Sequence, residues 1–214
     1  MIKAVFFDLD GTFADTAPDL AHAVNVMCSA RGDPPVSLEA ARPVTSHGAR
    51  GLLRVAFGIT PEHPDYKAMR AEFLEIYAAN LCRETRLFPG MTELLQGLEA
   101  RELLWGIVTN KAERLAKPLI ARLDMSTRCS CVIGGDTASR MKPYPDPLLA
   151  ASAAVGISPA DCAYVGDDLR DVEAAKAAGM RSIAVRYGYL NGGDPDSWGA
   201  DAVVDCPQDV LACL

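Results

Sequence analysis

Two aspartates stand at the end of an apolar run near the start of the chain, in F-F-D-L-D-G-T at residues 6–12. Phenylalanines favour burial, whereas aspartates such as Asp8 and Asp10 are seldom fully buried unless they are paired or bound to a metal. The pattern is typical of a buried strand whose last residues open onto a site. Carboxylates there can bind a divalent cation, act as a nucleophile or transfer a proton.

Polar side chains also follow three later apolar runs. They are Thr109, Asn110, Lys111, Lys142, Asp167 and Asp168. Because the ligand crevice of an open α/β sheet lies beyond the carboxyl ends of its strands, we expect these side chains to meet at one edge. Carboxylates, a hydroxyl, an amide and an ammonium group together suit Mg²⁺ and a phosphate group.

The order of the predicted elements indicates an α/β fold. Continuous apolar runs, typical of strands covered on both faces, lie at Ile2–Phe7, Leu103–Val108, Cys131–Gly134, Cys162–Val165, Ser182–Val185 and Ala202–Val204. Helical patterns lie between them, at Thr92–Arg101, Ala112–Leu123, Pro145–Val155 and Leu169–Ala178. This alternation predicts a doubly wound, mainly parallel sheet, that is, a Rossmann-like core.

One long segment breaks that alternation. Residues 16–83 show no convincing strand, and at least three helical segments begin near Pro18, Ser37 and Pro64. We therefore predict an all-helical cap domain, residues 16–83, inserted into a catalytic core of residues 1–15 and 84–214. Hinges between the two are expected near residues 13–16 and 83–88.

The composition excludes several classes of protein. Half of the 214 residues are hydrophobic, which is enough for a sizeable core, and the net charge of -7 disfavours nucleic-acid or anionic-membrane partners. No apolar run is long enough to cross a bilayer. The seven cysteines form no paired framework and are interpreted as small buried residues in a reducing compartment. We expect a cytoplasmic protein, either a monomer or a homodimer.

Together the motifs resemble those of the haloacid dehalogenase superfamily. They are D-L-D-G-T at 8–12, V-T-N at 108–110, K-P at 142–143 and G-D-D-L-R-D at 166–171. Their order and spacing are similar to the phosphatase branch that carries a helical cap after the first motif, the phosphoglycolate phosphatase-like proteins. That resemblance implies a hydrolase that removes phosphate from a small phosphorylated metabolite, with Mg²⁺ and through an aspartyl-phosphate.

The aspartates have distinct expected roles. By the resemblance, Asp8 is the nucleophile, and Asp10 protonates the leaving alcohol and then deprotonates the hydrolytic water. The expected Mg²⁺ ligands are Asp8, the backbone carbonyl of Asp10, and Asp167. Asp171 is expected to lie next to these ligands without binding the metal itself. Asp168 stands where the family commonly has a small residue, so its role as ligand or spectator is left open.

The remaining candidates bind the substrate. Thr109 and Lys142 are expected to hold the phosphate oxygens, with Asn110 beside them. Gly11 allows a tight turn and a close approach of the backbone to the phosphate. In the cap, Arg50 of S-H-G-A-R-G is a candidate for pairing with a substrate carboxylate or sugar hydroxyl.

Alternatives differ in what they require of the site. The dehalogenases of the superfamily lack the second aspartate, so Asp10 disfavours dehalogenation. A β-phosphoglucomutase-like phosphomutase keeps it and is the main alternative. A phospho-acceptor signalling domain also places aspartates, a threonine and a lysine at strand ends, but it lacks the helical insertion.

The substrate is the least determined feature. Stretches at 103–111, 185–189 and 198–205 resemble N-acetylmuramic acid 6-phosphate phosphatases, which makes phosphoglycolate or a sugar phosphate such as N-acetylmuramic acid 6-phosphate the candidates. These stretches lie in the predicted core, whereas the cap is expected to select the substrate.

Overall fold

The computed structural model describes all 214 residues and contains a six-stranded sheet of order β5-β4-β1-β6-β7-β8. All neighbouring pairs in this sheet are parallel. A separate antiparallel pair joins β2 and β3. The strands are β1 Ala4–Phe7, β2 Ala14–Asp15, β3 Arg86–Leu87, β4 Leu104–Val108, β5 Val132–Ile133, β6 Cys162–Gly166, β7 Arg181–Val185 and β8 Ala202–Val204.

Helices account for most of the remaining chain. They are α1 Ala17–Arg31, α2 Leu38–Ala41, α3 Gly48–Phe57, α4 Tyr66–Ala79, α5 Met91–Ala100, α6 Glu113–Arg122, α7 Asp146–Val155 and α8 Leu169–Ala178. The predicted α/β fold with a doubly wound parallel sheet is confirmed. Each predicted strand and each predicted helix between strands is present, with small differences at the ends.

Strand β1 lies inside the sheet, between β4 and β6, and all of its residues are buried. Its side chains alternate between two apolar clusters. Phe7 packs in the cluster that contains residues of α5 and α6, and Phe6 packs in the one that contains residues of α7 and α8. Since both faces are covered, the strand reads as a continuous apolar run.

The segment between β2 and β3 is helical, as predicted. It contains α1 to α4 and a 3-10 turn at Arg42–His47. Met69, Phe73 and Tyr77 of α4 are buried on one face of the helix. We call residues 16–83 the inserted segment; its limits as a separate domain stay a prediction.

The chain enters and leaves the inserted segment through the paired strands β2 and β3. Beside this pair, the buried Asp19 of α1 accepts hydrogen bonds from the backbone N–H groups of Glu84 (2.9 Å) and Thr85 (3.1 Å) and from the Thr85 hydroxyl (2.6 Å). The sequence did not indicate this pairing, because a two-residue strand has no detectable periodicity. The hinges expected at residues 13–16 and 83–88 stay a prediction.

Two further expectations concern composition. All seven cysteines are free, but only Cys28 and Cys162 are buried, so the interpretation of the cysteines as buried residues was wrong for the other five, which are partly exposed. The chain has no helix with the length and apolar character that crossing a membrane requires.

Replacing Asp19 with alanine is expected to lower the free energy of unfolding by about 2–4 kcal/mol, because buried donors of Thr85 lose their acceptor. Urea denaturation would measure the change. The matched control is Asp33→Ala, an exposed site, which should change stability by no more than about 0.5 kcal/mol. Equal midpoints for the two variants would contradict this role of Asp19.

Candidate active site

Three neighbouring strands end at the same edge of the sheet and deliver the predicted site residues. Asp8 follows β1, Thr109 follows β4 and Asp167 follows β6, and β1 lies between the other two. A cavity of about 460 Å³ lies between this edge and the inserted segment. Its core wall includes Asp8, Asp10, Thr109, Asn110 and Lys142. The expected convergence of these side chains is therefore present.

The ammonium group of Lys142 lies at the centre of the site. Its Nζ lies 3.0 Å from Asp8 Oδ1 and 2.8 Å from Asp171 Oδ1, and it donates to the Tyr164 hydroxyl at 2.7 Å. Burial lowers the pKa of Lys142, but Asp171 and Asp8 raise it more, so the pKa lies above its ordinary value. Lys142 is thus a buried, fixed cation beside the predicted nucleophile.

Asn110 holds Lys142 in place. Its side-chain amide donates to the backbone carbonyl of Lys142 at 3.0 Å and accepts from the backbone N–H of Lys142 at 2.9 Å. Both polar groups of Asn110 are therefore engaged with the loop that carries the lysine. Its predicted contact with substrate stays a prediction, while this positioning contact was not foreseen.

Three buried carboxylates form a compact cluster. Asp8, Asp167 and Asp171 each offer an oxygen, and these atoms lie within 4.8 Å of one another. Asp167 accepts from the Thr12 hydroxyl at 2.7 Å and from the Tyr189 backbone N–H at 2.8 Å. Burial, with Asp8 and Asp171 close by, raises the pKa of Asp167 well above its usual range.

The cluster fits a hard divalent cation. Burial raises the pKa of Asp171 to about 6, although Lys142 acts against that shift. Asp8 Oδ1 is buried, and its one close polar partner is the Lys142 ammonium at 3.0 Å. Three carboxylates around a single lysine form an all-oxygen set with excess negative charge, which is the donor chemistry that Mg²⁺ prefers.

Asp168 is engaged away from this cluster. Its carboxylate accepts from the Arg170 backbone N–H at 2.9 Å and pairs with the Arg170 guanidinium, with the closest contact at 2.7 Å. Burial acts to raise the pKa of Asp168, but Arg170 outweighs it and holds the pKa below its usual value. Asp171 Oδ2 accepts from the backbone N–H of Asp168 and completes a capping box at the start of α8. Because its carboxylate is bound to Arg170, Asp168 is better placed to be a spectator than a metal ligand.

Asp10 faces a second lysine. The Lys111 ammonium lies 2.8 Å and 3.0 Å from the two Asp10 carboxylate oxygens, and the Thr16 hydroxyl donates to Oδ1 at 2.5 Å. Lys111 Nζ also lies 4.7 Å from the ring centroid of Tyr77, a residue of α4. Asp10 is therefore linked through Lys111 to the inserted segment. The position of Lys111 directly after V-T-N indicates that it lies at this edge, but its pairing with Asp10 was not foreseen.

Thr109 and Gly11 have different structural constraints. The buried Thr109 lines the cavity, and its hydroxyl oxygen accepts from the Lys111 backbone N–H at 3.2 Å.

Gly11 has φ of +92°, and a Cβ at this position would lie 2.3 Å from Asp167 Oδ2 and 2.8 Å from Tyr189. Gly11 is thus required for packing beside the carboxylate cluster as well as for the turn.

The opposite wall of the cavity belongs to the inserted segment. It includes the predicted Arg50, its neighbour His47, and a stripe along α4 that contains Tyr66, Arg70 and Tyr77. The sequence predicted the helical segment beginning near Pro64 that carries this stripe. It had no means of finding the cavity, which forms only where α4 meets the core.

Comparison with known proteins identifies the family. The family model described as haloacid dehalogenase-like hydrolase matches residues 5–185. The chain is a member of this hydrolase family. The resemblance inferred from the four motifs is confirmed.

Relatives of similar length are phosphatases by name. The chain is 42% identical over 214 residues to an N-acetylmuramic acid 6-phosphate phosphatase of Pseudomonas aeruginosa, covering 100% of this chain and 95% of the relative. It is 48% identical to a phosphoglycolate phosphatase of Xanthomonas campestris pv. campestris, covering 97% of this chain and 94% of the relative.

A solved structure has the same fold. The crystal structure of a predicted phosphoglycolate phosphatase from Haemophilus somnus 129pt superposes with a TM-score of 0.87 at 27% sequence identity. The match covers 99% of this chain and 97% of that chain.

Replacing Gly11 with alanine is expected to weaken Mg²⁺ binding at least about tenfold, because the new Cβ collides with Asp167. Calorimetric titration with MgCl₂ would measure the affinity. Gly156→Ala is the matched control, since Gly156 also has positive φ but nothing lies within 4 Å of the added Cβ. An equal loss of Mg²⁺ affinity in the two variants would show that strain from positive φ, and not the collision with Asp167, weakens Mg²⁺ binding.

Proposed function

We propose that this hydrolase removes phosphate from a small phosphorylated metabolite with the help of Mg²⁺ and through an aspartyl-phosphate on Asp8. The observation that carries the proposal is the position of the Asp8 carboxylate, which lies at the cavity, 3.0 Å from the Lys142 ammonium and within the carboxylate cluster. A carboxylate beside a fixed cation that can hold phosphate oxygens is suited to act as a nucleophile toward phosphorus.

In the first half of the reaction, a carboxylate oxygen of Asp8 attacks phosphorus, and the bond from phosphorus to the leaving alcohol oxygen breaks. Asp10 gives its proton to that oxygen. Lys142 and the Thr109 hydroxyl hold the phosphate oxygens. Mg²⁺, held by Asp8, the Asp10 carbonyl and Asp167, would neutralise charge on the phosphate when bound.

In the second half, Asp10 accepts a proton from water, whose oxygen attacks phosphorus. The bond from phosphorus to the Asp8 oxygen breaks, which releases inorganic phosphate and restores the Asp8 carboxylate. The contacts that Lys111 and Thr16 make with Asp10 support this role, because they fix the carboxylate near the cavity.

We further propose that residues 16–83 act as a cap domain over a catalytic core of residues 1–15 and 84–214. The cavity has one wall from each part, which supports a closing movement that excludes bulk water from the aspartyl-phosphate. The names of the relatives favour phosphoglycolate or N-acetylmuramic acid 6-phosphate as substrate. The proposed place of action is the cytoplasm.

The test is release of inorganic phosphate from a panel of phosphomonoesters, with MgCl₂ or with EDTA. The panel contains 2-phosphoglycolate, N-acetylmuramic acid 6-phosphate, glucose and ribose phosphates, and para-nitrophenyl phosphate. Release should require Mg²⁺ and fall to the level of the blank in Asp8→Asn. In Asp10→Asn, kcat should fall by about 10²- to 10⁴-fold.

Asp33→Asn is the matched control, because this exposed aspartate lies outside the cavity and should leave kcat unchanged. Absence of release from every compound would overturn the proposal. Formation of an isomerised sugar phosphate without release of phosphate would favour the β-phosphoglucomutase-like alternative instead.

A further inference from the structure

The charges that line the cavity do not balance within the protein. Each acidic residue of the cavity wall already has a partner. Asp8 and Asp171 pair with Lys142, Asp10 with Lys111, and Asp168 with Arg170. Asp136 accepts from the backbone N–H of Glu113 at 2.7 Å. These pairings leave the cations Arg50, Arg70 and Arg114 on the wall.

These three arginines have no carboxylate partner, although the protein has a net charge of -7. Elsewhere in the chain, arginines such as Arg31 and Arg42 form ion pairs with Glu72 and Asp15. Other exposed arginines, such as Arg54 and Arg181, also form no ion pair, so the distinguishing feature of Arg50, Arg70 and Arg114 is that all three line one cavity. Guanidinium groups collected at a cavity can bind an anion that is not part of the protein.

Local sequence gives Arg70 and Arg114 no neutralising neighbour. On a helix, side chains three and four positions apart are neighbours, and for Arg70 these are Tyr66, Lys67, Phe73 and Leu74. Arg114 lies in the first turn of α6, where the helix dipole disfavours a cation. Neither position is therefore explained by helix stability.

Position along α4 separates Arg70 from the phosphate end of the cavity. Tyr77 lies against Lys111, the partner of Asp10, and thus marks the end where the phosphate is expected. Arg70 precedes Tyr77 by seven residues, which is about 10 Å along the helix axis. Arg70, one of the two unpaired arginines on this wall, is therefore attached to α4 well away from the reacting atoms.

The size of the cavity limits the ligands that fit it. The cavity of about 460 Å³ is in the range of sites for drug-sized ligands and is far larger than a two-carbon acid requires.

We propose that Arg70 and Arg114, on opposite walls of the cavity, bind the carboxylate of a phosphorylated, sugar-sized carboxylic acid and thereby determine substrate specificity. This inference rests on the proposed phosphatase function and extends it to a substrate class. Because Arg70 belongs to the inserted segment and Arg114 to the core, one carboxylate held by both also joins the two walls.

The experiment compares two phosphosugars that differ in a carboxylate. N-acetylmuramic acid 6-phosphate carries one on its lactyl ether, and N-acetylglucosamine 6-phosphate has a hydroxyl in its place. In Arg70→Ala and Arg114→Ala, KM for the acid should rise at least tenfold, and KM for the neutral sugar should change less than twofold. Unchanged circular dichroism spectra and melting temperatures of both variants report correct folding.

Arg181→Ala is the matched control, because Arg181 is exposed, makes no ion pair and lies outside the cavity. Arg114→Lys should recover part of the lost affinity, since it keeps the charge. Equal KM changes for the acid and the neutral sugar would overturn the proposal. A larger effect on 2-phosphoglycolate than on the sugar acid would overturn the placement of the carboxylate far from the phosphate.

A binding measurement separates this inference from the proposed function. Calorimetry with the Asp8→Asn protein measures affinity for both phosphosugars without any turnover. Loss of the preference for the acid on replacing Arg70 or Arg114 supports the inference even if no compound is hydrolysed. Hydrolysis of the panel without any preference for the acid contradicts the inference alone and leaves the phosphatase function standing.

Discussion

The buried ammonium of Lys142, held between Asp8 and Asp171, is the interaction on which the site depends. Three carboxylates collected in a buried cluster repel one another, and burial alone favours their protonated forms. A fixed cation, together with the cation that the cluster fits, offsets part of the cost of gathering negative charge there. Asn110 holds the backbone of Lys142 in place, so a residue outside the cluster maintains its charge balance.

The sheet makes this arrangement possible. Parallel strands β4, β1 and β6 end side by side, so residues far apart in sequence reach one edge without any strained connection. Gly11 lets the chain turn against Asp167, where a side chain would collide. The inserted segment closes the opposite side of the cavity and adds Arg50 and Arg70 to its wall.

The sequence was sufficient for the sheet because β1, β4 and β6 are covered on both faces and read as continuous apolar runs. The sequence was also sufficient to predict the positions of the motif residues, because each of them directly follows a strand or lies in the loop after it. It could not reveal the Lys111–Asp10 pair or the unpaired Arg70 and Arg114, since these depend on how α4 and α6 face one cavity. The two-residue pairing of β2 with β3 was also too short to leave a pattern.

The central claim is that Asp8 carries the phosphoryl group during turnover. The most direct measurement is rapid acid quenching of the protein mixed with ³²P-labelled para-nitrophenyl phosphate and MgCl₂, followed by peptide mapping. The account predicts a label on the peptide that contains Asp8, formed within the first turnover and absent from Asp8→Asn. Steady release of phosphate with no labelled peptide, and with activity retained in Asp8→Asn, would contradict it.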